Sequence, residues 1–375
     1  KQKTAYEIPK RDWSSDVCSS DLSARLFRLP VFAYLPGRGG DEAITRVRKH
    51  CSDVRTLLHT LRFGIHRAAH SVPGPELAGG LVLSLDLTKA FDSVVRSKLF
   101  QALTSLGADH NIIAMLSQIY DKTSFSFWHR GQYRSLPTQR GIRQGCKAAP
   151  ILWTLFSAWI LENAAQINGW EWLSDVVTAF ADDFCLHSLI ESMDDFSSTL
   201  TKVGAFLDLL IDAGLTINRD KTIATLKLHG QGKAKIYKRF IKRTKDGTFI
   251  CIPSRHGQPF FIRLVSQFSY LGVILSYSNF ELLTVRHRIK AGVKISHQLQ
   301  RWLFKKTGLS HKQKVKLWFQ CTFPCLTYGL RSIGLTPQTV QLLDNFSSTI
   351  ETTLSLTCAS HSPGPCRFLR QRGHC

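Results

Sequence analysis

The stretch Val176-Val-Thr-Ala-Phe-Ala-Asp-Asp-Phe-Cys-Leu186 places two adjacent acidic residues inside an otherwise apolar run. The apolar residues on each side predict two short β-strands that meet at Ala181-Asp182-Asp183. Neighbouring carboxylates between buried strands are costly to desolvate unless a cation lies beside them. A divalent metal ion is the natural partner, because carboxylate oxygens are hard ligands. An Asp-Asp pair alone is a weak signal, since most such pairs are solvated loop residues.

The segments before and after this turn predict a mixture of strands and helices. Leu81 to Leu87 alternates apolar with smaller or polar residues, which predicts a half-buried strand with Asp86 near its end. A helical period follows in three places: Arg96 to Tyr120, broken by Gly107; the residues after Pro150; and Phe196 to Leu215, ending at Gly214. This order of elements predicts an α+β fold.

The charge of the chain indicates a polyanionic partner. Its 375 residues include 49 Lys and Arg against 27 Asp and Glu, a formal net charge of +22. Nucleic acid is the first candidate and an anionic membrane surface the second. The basic residues of the segment 233–250 precede Asp246-Gly247, a favoured pair for a tight turn, and predict a basic hairpin. From Glu281 onward, helical spacing and further Lys and Arg residues predict a separate basic, helical subdomain.

Other signals limit the class of protein. The longest apolar stretch, Ala148 to Leu161, contains Pro150 and is shorter than the roughly 20 residues of a membrane span. Ten cysteines without regular spacing, and no hydrophobic signal segment, indicate a reducing compartment. We therefore expect no membrane partner and no secretion.

The two ends of the chain differ from the rest. Val17-Cys-Ser-Ser-Asp-Leu22 back-translates into something resembling a common sequencing adapter, so we interpret residues 1–22 as an artefactual leader; a disordered leader is the alternative. Residues 357–375 are rich in Pro, Gly and Arg without a period, which predicts an unstructured tail.

Five blocks, in order, resemble the reverse transcriptases. They are Asp86-Leu-Thr-Lys-Ala-Phe91-Asp92, Arg140-Gly-Ile-Arg-Gln144-Gly145, Phe180-Ala-Asp182-Asp183, Gly214-Leu-Thr-Ile-Asn218-Arg-Asp-Lys221-Thr222 and Phe268-Ser-Tyr-Leu-Gly-Val273. The details are most similar to the non-LTR (LINE-type) retrotransposon branch, as is the upstream segment Ala33-Tyr-Leu-Pro-Gly-Arg38. A complete fingers subdomain would begin before Phe32, so the resemblance implies a partial chain.

The resemblance implies a right-hand polymerase with partial fingers, a palm and a helical thumb. Fingers and palm would occupy residues 23–280 and the thumb residues 281–356. The activity implied is RNA-directed DNA polymerisation, in which a primer 3′-hydroxyl attacks a dNTP on an RNA template. The partners would be the RNA template, a DNA primer and dNTPs, and the oligomeric state stays open. Action in the nucleus or the cytoplasm is implied.

The same resemblance assigns roles to particular residues. Asp86, Asp182 and Asp183 would be the catalytic ligands of two Mg²⁺ ions, with Mn²⁺ as an alternative. The predicted substrate-binding residues are Phe91, Gln144, Gly145, Lys221 and Arg38. Phe91 would exclude a ribose 2′-hydroxyl, although a core phenylalanine is the simpler interpretation. Gln144 would hydrogen-bond template or nucleotide, Gly145 would let backbone approach nucleic acid, and Lys221 would meet pyrophosphate.

Two other functions remain open at this point. The first is a catalytically silent remnant that still binds RNA or an RNA–DNA hybrid through its basic surface. The second is another polymerase, such as an intron-encoded maturase or an RNA-templated RNA polymerase. Nucleotide preference would separate the latter from a reverse transcriptase.

Overall fold

The computed structural model describes residues 20–61, 76–121, 123–304 and 309–356. The chain divides into two compact units, unit 1 (residues 1–266) and unit 2 (residues 267–375). Of the predicted leader, residues 20–22 begin a helix, and the rest lies outside the described residues, as does the predicted tail. The predicted division into leader, fingers with palm, thumb and tail stays a prediction.

In its described residues, unit 1 combines helices with strands. Its helices are α1 (Ser20–Arg28), α2 (Gly40–Thr60), α3 (Ala90–Ser93), α4 (Arg96–Ser105), α5 (His110–Asp121), α6 (Ala149–Asn168), α7 (Trp170–Val176), α8 (Met193–Asp212) and α9 (Lys233–Phe240). Its strands are β1 (Ala78–Leu85), β2 (Ser124–His129), β3 (Gln132–Pro137), β4 (Val177–Phe180), β5 (Asp183–Ile190), β6 (Ile223–His229), β7 (Ile241–Thr244), β8 (Gly247–Ile252) and β9 (Phe260–Leu264).

A seven-stranded sheet carries most of the core of unit 1. Its strand order is β4-β5-β1-β6-β9-β8-β7. β6 and β9 pair in parallel, and the other neighbouring strands pair antiparallel. β1 is almost entirely buried because its apolar residues lie between two other strands of the sheet, and α2 packs against it. α8 packs on β5 and β8.

Helix α6 is apolar around most of its circumference, which is typical of a buried helix. Pro150 lies in its first turn, where the missing backbone N–H costs no hydrogen bond. Trp153 and Phe156 are fully buried on it, and α4 and α8 pack against it. In the described parts of the chain, no helix combines the length and the apolar run needed to cross a membrane.

Most predicted elements are confirmed. A strand ends immediately before Asp86, and two strands meet at residues 181 and 182. The helix pair separated by Gly107 is α4 and α5, and the last predicted helix of unit 1 is α8. Gly107 and Gly214 both have positive φ, +79° and +89°, so each ends a helix in a conformation that glycine adopts without steric cost.

The basic segment 233–250 differs from the prediction in its first half. β7 and β8 form the predicted hairpin, with Lys245 and Asp246 between the paired residues Thr244 and Gly247. Residues 233–240, however, form helix α9 and not a strand. The reason is a helical period: Ile236 is fully buried and Phe240, four residues later, packs on the same core while the lysines stay exposed.

In its described residues, unit 2 consists of a short hairpin followed by helices. Its strands are β10 (Phe268–Tyr270) and β11 (Val273–Leu275). Its helices are α10 (Phe280–Gln298), α11 (Gln300–Leu303), α12 (His311–Cys321), α13 (Phe323–Thr327), α14 (Leu330–Ile333) and α15 (Pro337–Leu356). The Arg288 guanidinium stacks on Tyr328 and donates to the Gly272 carbonyl, so it ties the hairpin turn to the helices.

Candidate active site

Asp86 follows the end of β1 and is held by the segment before β6. In the β1–β5 register Leu85 pairs with Phe184, which brings Asp86 level with the start of β5. Its backbone amide donates to Thr222 Oγ1 at 3.2 Å, and its carbonyl accepts from the Asn218 amide at 2.8 Å. The Asn218 side chain donates from Nδ2 to Asp86 Oδ2 at 2.9 Å. Backbone and carboxylate are therefore both oriented.

Asp182 and Asp183 lie at the tight turn between β4 and β5. Phe180 pairs with Asp183, so only Ala181 and Asp182 form the turn. Ala181 has φ +54°, a left-handed conformation that is uncommon for a residue with a Cβ. The Trp153 indole N–H donates to the Ala181 carbonyl at 2.8 Å. The turn is thus tied to helix α6.

Neighbouring acids perturb the pKa of both aspartates of the turn. Burial raises the pKa of Asp183 to about 6, with further contributions from the negative charges of Asp182 and Asp86. Burial also raises the pKa of Asp182, and the charge of Asp86 acts in the same direction. Such mutual repulsion between partly buried acids is relieved when a cation binds between them.

The donor set suits a hard divalent cation in chemistry, because all three residues offer carboxylate oxygens. It is not a preformed cluster: within the described residues, no three His, Cys, Asp or Glu side chains are gathered at metal-binding distances. The Asp86 carboxylate instead accepts its hydrogen bond from Asn218. Convergence on an ion therefore requires side-chain rotation.

Phe91 lies on the short helix α3 and stacks on Trp153, with ring centroids 4.9 Å apart and an interplanar angle of 28°. Its backbone carbonyl accepts from the Ile142 amide at 2.8 Å. The ring is half-buried and packs on the core from outside. The same indole therefore contacts both Phe91 and the turn that bears Asp182, and the selective role of Phe91 stays a prediction.

Gln144 and Gly145 lie on the exposed loop that precedes α6. Gln144 Nε2 donates to Asp92 Oδ1 at 3.0 Å, so its amide binds a carboxylate of α3 and not the local backbone. Gly145 has φ +83°, and a Cβ at this position would meet no atom within 4 Å. Gly141 differs, since a Cβ there would lie 3.0 Å from the Asp92 carbonyl oxygen. The loop is thus packed on α3 at Gly141 and open at Gly145.

Lys221 and Arg38, the two basic residues predicted to bind substrate, have different environments in the structure. Lys221 is exposed, and its backbone amide donates to Asn218 Oδ1 at 3.3 Å, which puts it next to the residue that orients Asp86. The Arg38 guanidinium donates to the carbonyls of Phe27, Leu29 and Val31 at 2.5 to 2.8 Å. Burial lowers the pKa of Arg38. Its donors hold the chain after α1, and nucleotide binding by Arg38 stays a prediction.

Two residues of this site had no role from the sequence. Asn218 lies in a motif that is similar to one of the family's motifs. Its hydrogen bond to Asp86 joins residues 132 positions apart, so no local sequence pattern indicates it. Trp153 lies in an apolar helix, where a tryptophan is expected as a core residue. Only the three-dimensional arrangement shows that its N–H serves the Asp182 turn.

A mainly antiparallel sheet with acidic residues at the end of an interior strand and in the adjoining turn, backed by helices, is typical of the palm of a right-hand polymerase. The sequence model of the reverse transcriptase (RNA-dependent DNA polymerase) family matches residues 46–275, well over half of the chain. The chain belongs to the reverse transcriptase family, whose members use divalent metal ions.

Curated relatives are proteins of R2 retrotransposons. The Retrovirus-related Pol polyprotein from type-1 retrotransposable element R2 of Popillia japonica is 28% identical over 308 residues, which cover 78% of this chain and 38% of that protein. The corresponding protein from type-2 retrotransposable element R2DM of Drosophila melanogaster is 29% identical, with coverage of 41% and 14%. The predicted similarity to non-LTR reverse transcriptases is confirmed, and the chain spans well under half of these relatives.

Solved structures of telomerase are also similar. The apo telomerase of Candida tropicalis has a TM-score of 0.43 at 13% identity and covers 82% of this chain and 46% of that chain. The telomerase of Candida albicans in complex with a TWJ fragment of telomeric RNA has a TM-score of 0.40 at 12% identity, with coverage of 92% and 54%.

Proposed function

We propose that this chain is the polymerase portion of a non-LTR retrotransposon reverse transcriptase, which extends a DNA primer with dNTPs on an RNA template. The observation that carries the proposal is the position of Asp86 beside the turn of Asp182 and Asp183, where burial and the charge of Asp86 raise the pKa of both turn residues. Neighbouring, partly buried acids form a strongly electronegative spot, which is the electrostatic requirement for binding divalent cations.

Two Mg²⁺ ions would be held by Asp86, Asp182 and Asp183, with Mn²⁺ as an alternative. When bound, such ions lower the pKa of the attacking 3′-hydroxyl and stabilise the leaving pyrophosphate. The residues around them orient the ligands. Asn218 fixes one oxygen of Asp86, and Trp153 fixes the carbonyl of the turn that carries Asp182. This support reduces the reorganisation needed when substrate arrives.

Phe91 is the residue that we assign to sugar selection. Its ring rests on Trp153 and cannot move away from an incoming sugar without disturbing that stack. A 2′-hydroxyl against an apolar ring is crowded and lacks a hydrogen-bond partner, so deoxynucleotides would be preferred. We assign Gln144 and Gly145, on the loop beside α3, to the template side of the same nucleotide, and Lys221 to pyrophosphate.

The net charge of +22 supports binding to an RNA–DNA hybrid. Exposed lysines and arginines on α9 and β7 would contact phosphates; these are Lys233, Lys235, Lys238, Arg239, Lys242 and Arg243. Such contacts give affinity that is independent of sequence and falls as salt rises. The site of action, in the nucleus or the cytoplasm, stays a prediction.

Primer extension on an RNA template tests the proposal. We expect DNA synthesis with dNTPs and Mg²⁺, and its loss in the variant Asp182→Asn Asp183→Asn. The matched control is Asp194→Asn Asp195→Asn, an adjacent pair at the start of α8 that removes the same two charges away from the site. Synthesis that survives the first variant refutes the assignment.

The other two functions have distinct outcomes in the same assay. Hybrid binding without synthesis by the parent chain would favour the silent remnant. Equal use of ribonucleotides would favour an RNA-templated RNA polymerase. In a reverse transcriptase, Phe91→Ala is expected to increase ribonucleotide use while the Asp194→Asn Asp195→Asn control does not.

A further inference from the structure

The hairpin formed by β2 and β3 is exposed along its whole length. Every residue of both strands is solvent-exposed, although several are large and apolar. Phe125 is 71% exposed, Trp128 74% and Tyr133 57%. Exposed aromatic side chains concentrated on one small element are typical of an interaction surface and not of a core.

The strand register divides these side chains between two faces. Trp128 pairs with Tyr133, and their ring centroids are 5.6 Å apart. On the same face Ser126 pairs with Ser135, and the Tyr133 hydroxyl donates to Ser126 Oγ at 2.8 Å, which fixes the phenol ring. The result is an oriented pair of aromatic rings near the tip of the hairpin.

The charge of this region is entirely positive. From Thr123 to Arg143 there is no Asp or Glu, and there are four arginines, Arg130, Arg134, Arg140 and Arg143. Arg130 lies in the two-residue turn, and Arg134 follows the aromatic pair by one position. Arg134 pairs with Phe127 and therefore lies on the opposite face from the aromatic pair, so Arg130 is the arginine beside the rings. Aromatic rings beside an arginine in the absence of acids complement a single nucleic acid strand, whose bases stack and whose phosphates are anionic.

The base of the hairpin is held firmly by Arg96. Its guanidinium donates to the carbonyls of Tyr120 at 3.0 Å, Thr138 at 2.5 Å and Arg140 at 3.1 Å, and it lies over the Tyr120 ring. A two-stranded hairpin alone is marginally stable in water. The arginine therefore fixes the direction of the exposed strands relative to α5 and to the loop that leads to Gln144.

We propose that the β2–β3 hairpin binds single-stranded RNA, with bases stacked on Trp128 and Tyr133 and a phosphate paired with Arg130. The identification of this strand as unpaired template rests on the proposed function. The stacking of bases on the hairpin does not depend on the proposed function, because every base has an aromatic face that can stack on a ring. The hairpin is joined through Gln139 and Arg140 to the loop that carries Gln144. One template strand can therefore contact both the hairpin and this loop.

Fluorescence anisotropy with two labelled RNA–DNA hybrids tests this proposal. One hybrid is blunt, and the other has an unpaired RNA overhang of about twelve nucleotides, within the usual site size of single-strand grooves. We expect the parent chain to bind the overhang hybrid at least about tenfold more tightly, because bases of the overhang stack on Trp128 and Tyr133. Trp128→Ala Tyr133→Ala should remove this preference and leave blunt-hybrid affinity unchanged.

Two further variants serve as comparisons. Trp170→Ala removes a tryptophan that is 52% exposed at the start of α7 and should retain the preference. Arg130→Gln should reduce the salt dependence of overhang binding by a slope of about 0.7, as expected when one phosphate is no longer neutralised. Both hairpin variants alter exposed side chains only, so the melting temperature should not change.

Several results would overturn the proposal. These are an overhang preference that persists in Trp128→Ala Tyr133→Ala, an equal loss of affinity for both hybrids, or no preference in the parent chain. A parent dimer that dissociates in this variant would identify the hairpin as a contact between copies instead. Repeating the assay in Asp182→Asn Asp183→Asn separates the two questions, because strand binding should survive there even if polymerisation fails.

Discussion

Trp153 contacts both the Phe91 ring and the turn that carries Asp182, so its substitution gives the sharpest test of the proposed site. Trp153→Phe keeps an aromatic ring against Phe91 but removes the N–H that donates to the Ala181 carbonyl at 2.8 Å. The side chain is 1% exposed, so water does not replace the missing donor. The carbonyl of a residue with φ +54° is then no longer held by a hydrogen bond from α6.

The magnitude follows from this geometry. A buried acceptor without a partner costs about 1–3 kcal/mol. For a unit of this size, a loss of about 2 kcal/mol lowers the melting temperature by about 4–8 °C. A shift of about 1 Å at a reacting centre lowers turnover by about a hundredfold, so we expect a decrease of about tenfold to a hundredfold.

Trp172→Phe is the matched control. Trp172 is also a buried tryptophan of unit 1, but its indole N–H has no hydrogen-bond partner among the described residues. The control therefore loses packing without losing a hydrogen bond, and its turnover should stay near that of the parent chain.

Thermal unfolding and single-turnover primer extension, each across a series of Mg²⁺ concentrations, measure both effects. Trp153→Phe should need more Mg²⁺ for half-maximal rate, because the turn that carries Asp182 is less well fixed. Equal turnover and equal Mg²⁺ dependence in Trp153→Phe and Trp172→Phe would refute the reasoning.

Three further substitutions address other contacts of the site. Asn218→Ala removes the donor to Asp86 and should lower single-turnover rate by about tenfold or more, whereas an unchanged rate would show that Asp86 needs no such support. The pKa of Asp183 is raised from 3.8 to about 6, so the stability from its protonated form is complete below 3.8 and is lost as pH rises through about 6. In metal-free urea unfolding, Asp183→Asn should therefore be more stable than the parent chain above about pH 6, and an advantage that does not shrink at acidic pH would contradict this sign. Gly141→Ala should destabilise the chain by more than Gly145→Ala, because both have positive φ but only the first directs a Cβ against the backbone of α3; equal melting temperatures would argue against that contact.

The sequence predicted the parts of the fold that depend on local patterns. The strand before Asp86, the Asp182 turn and the helices after Gly107 and Pro150 follow from hydrophobic periods and from residues that end helices. The prediction for the segment 233–240 is wrong because it followed the lysines and the favoured turn at Asp246-Gly247. The buried Ile236 shows that the helical period is the better guide.

The candidate site was predictable only as a set of residue types. The motifs located three acids but not the partners that orient them, since the bonds from Asn218 and Trp153 join positions 132 and 28 residues apart. Arg38 illustrates the opposite limit. It lies in a segment that resembles the family, but its guanidinium donates to three backbone carbonyls. Sequence shows which groups are available, and tertiary contacts decide what each group can still bind.

The groups that orient Asp86 and the turn of Asp182 share one chemical property. The donors found here are an amide from Asn218, an indole N–H from Trp153 and, toward the hydroxyl of Thr222, the backbone amide of Asp86, all uncharged. Among the described residues, the ion pairs lie elsewhere, for example between Arg25 and Glu162. A lysine or arginine at the same place would lower the pKa of the acids and compete with a divalent cation for their oxygens. Neutral donors restrain position and add no positive charge that would compete with a metal ion.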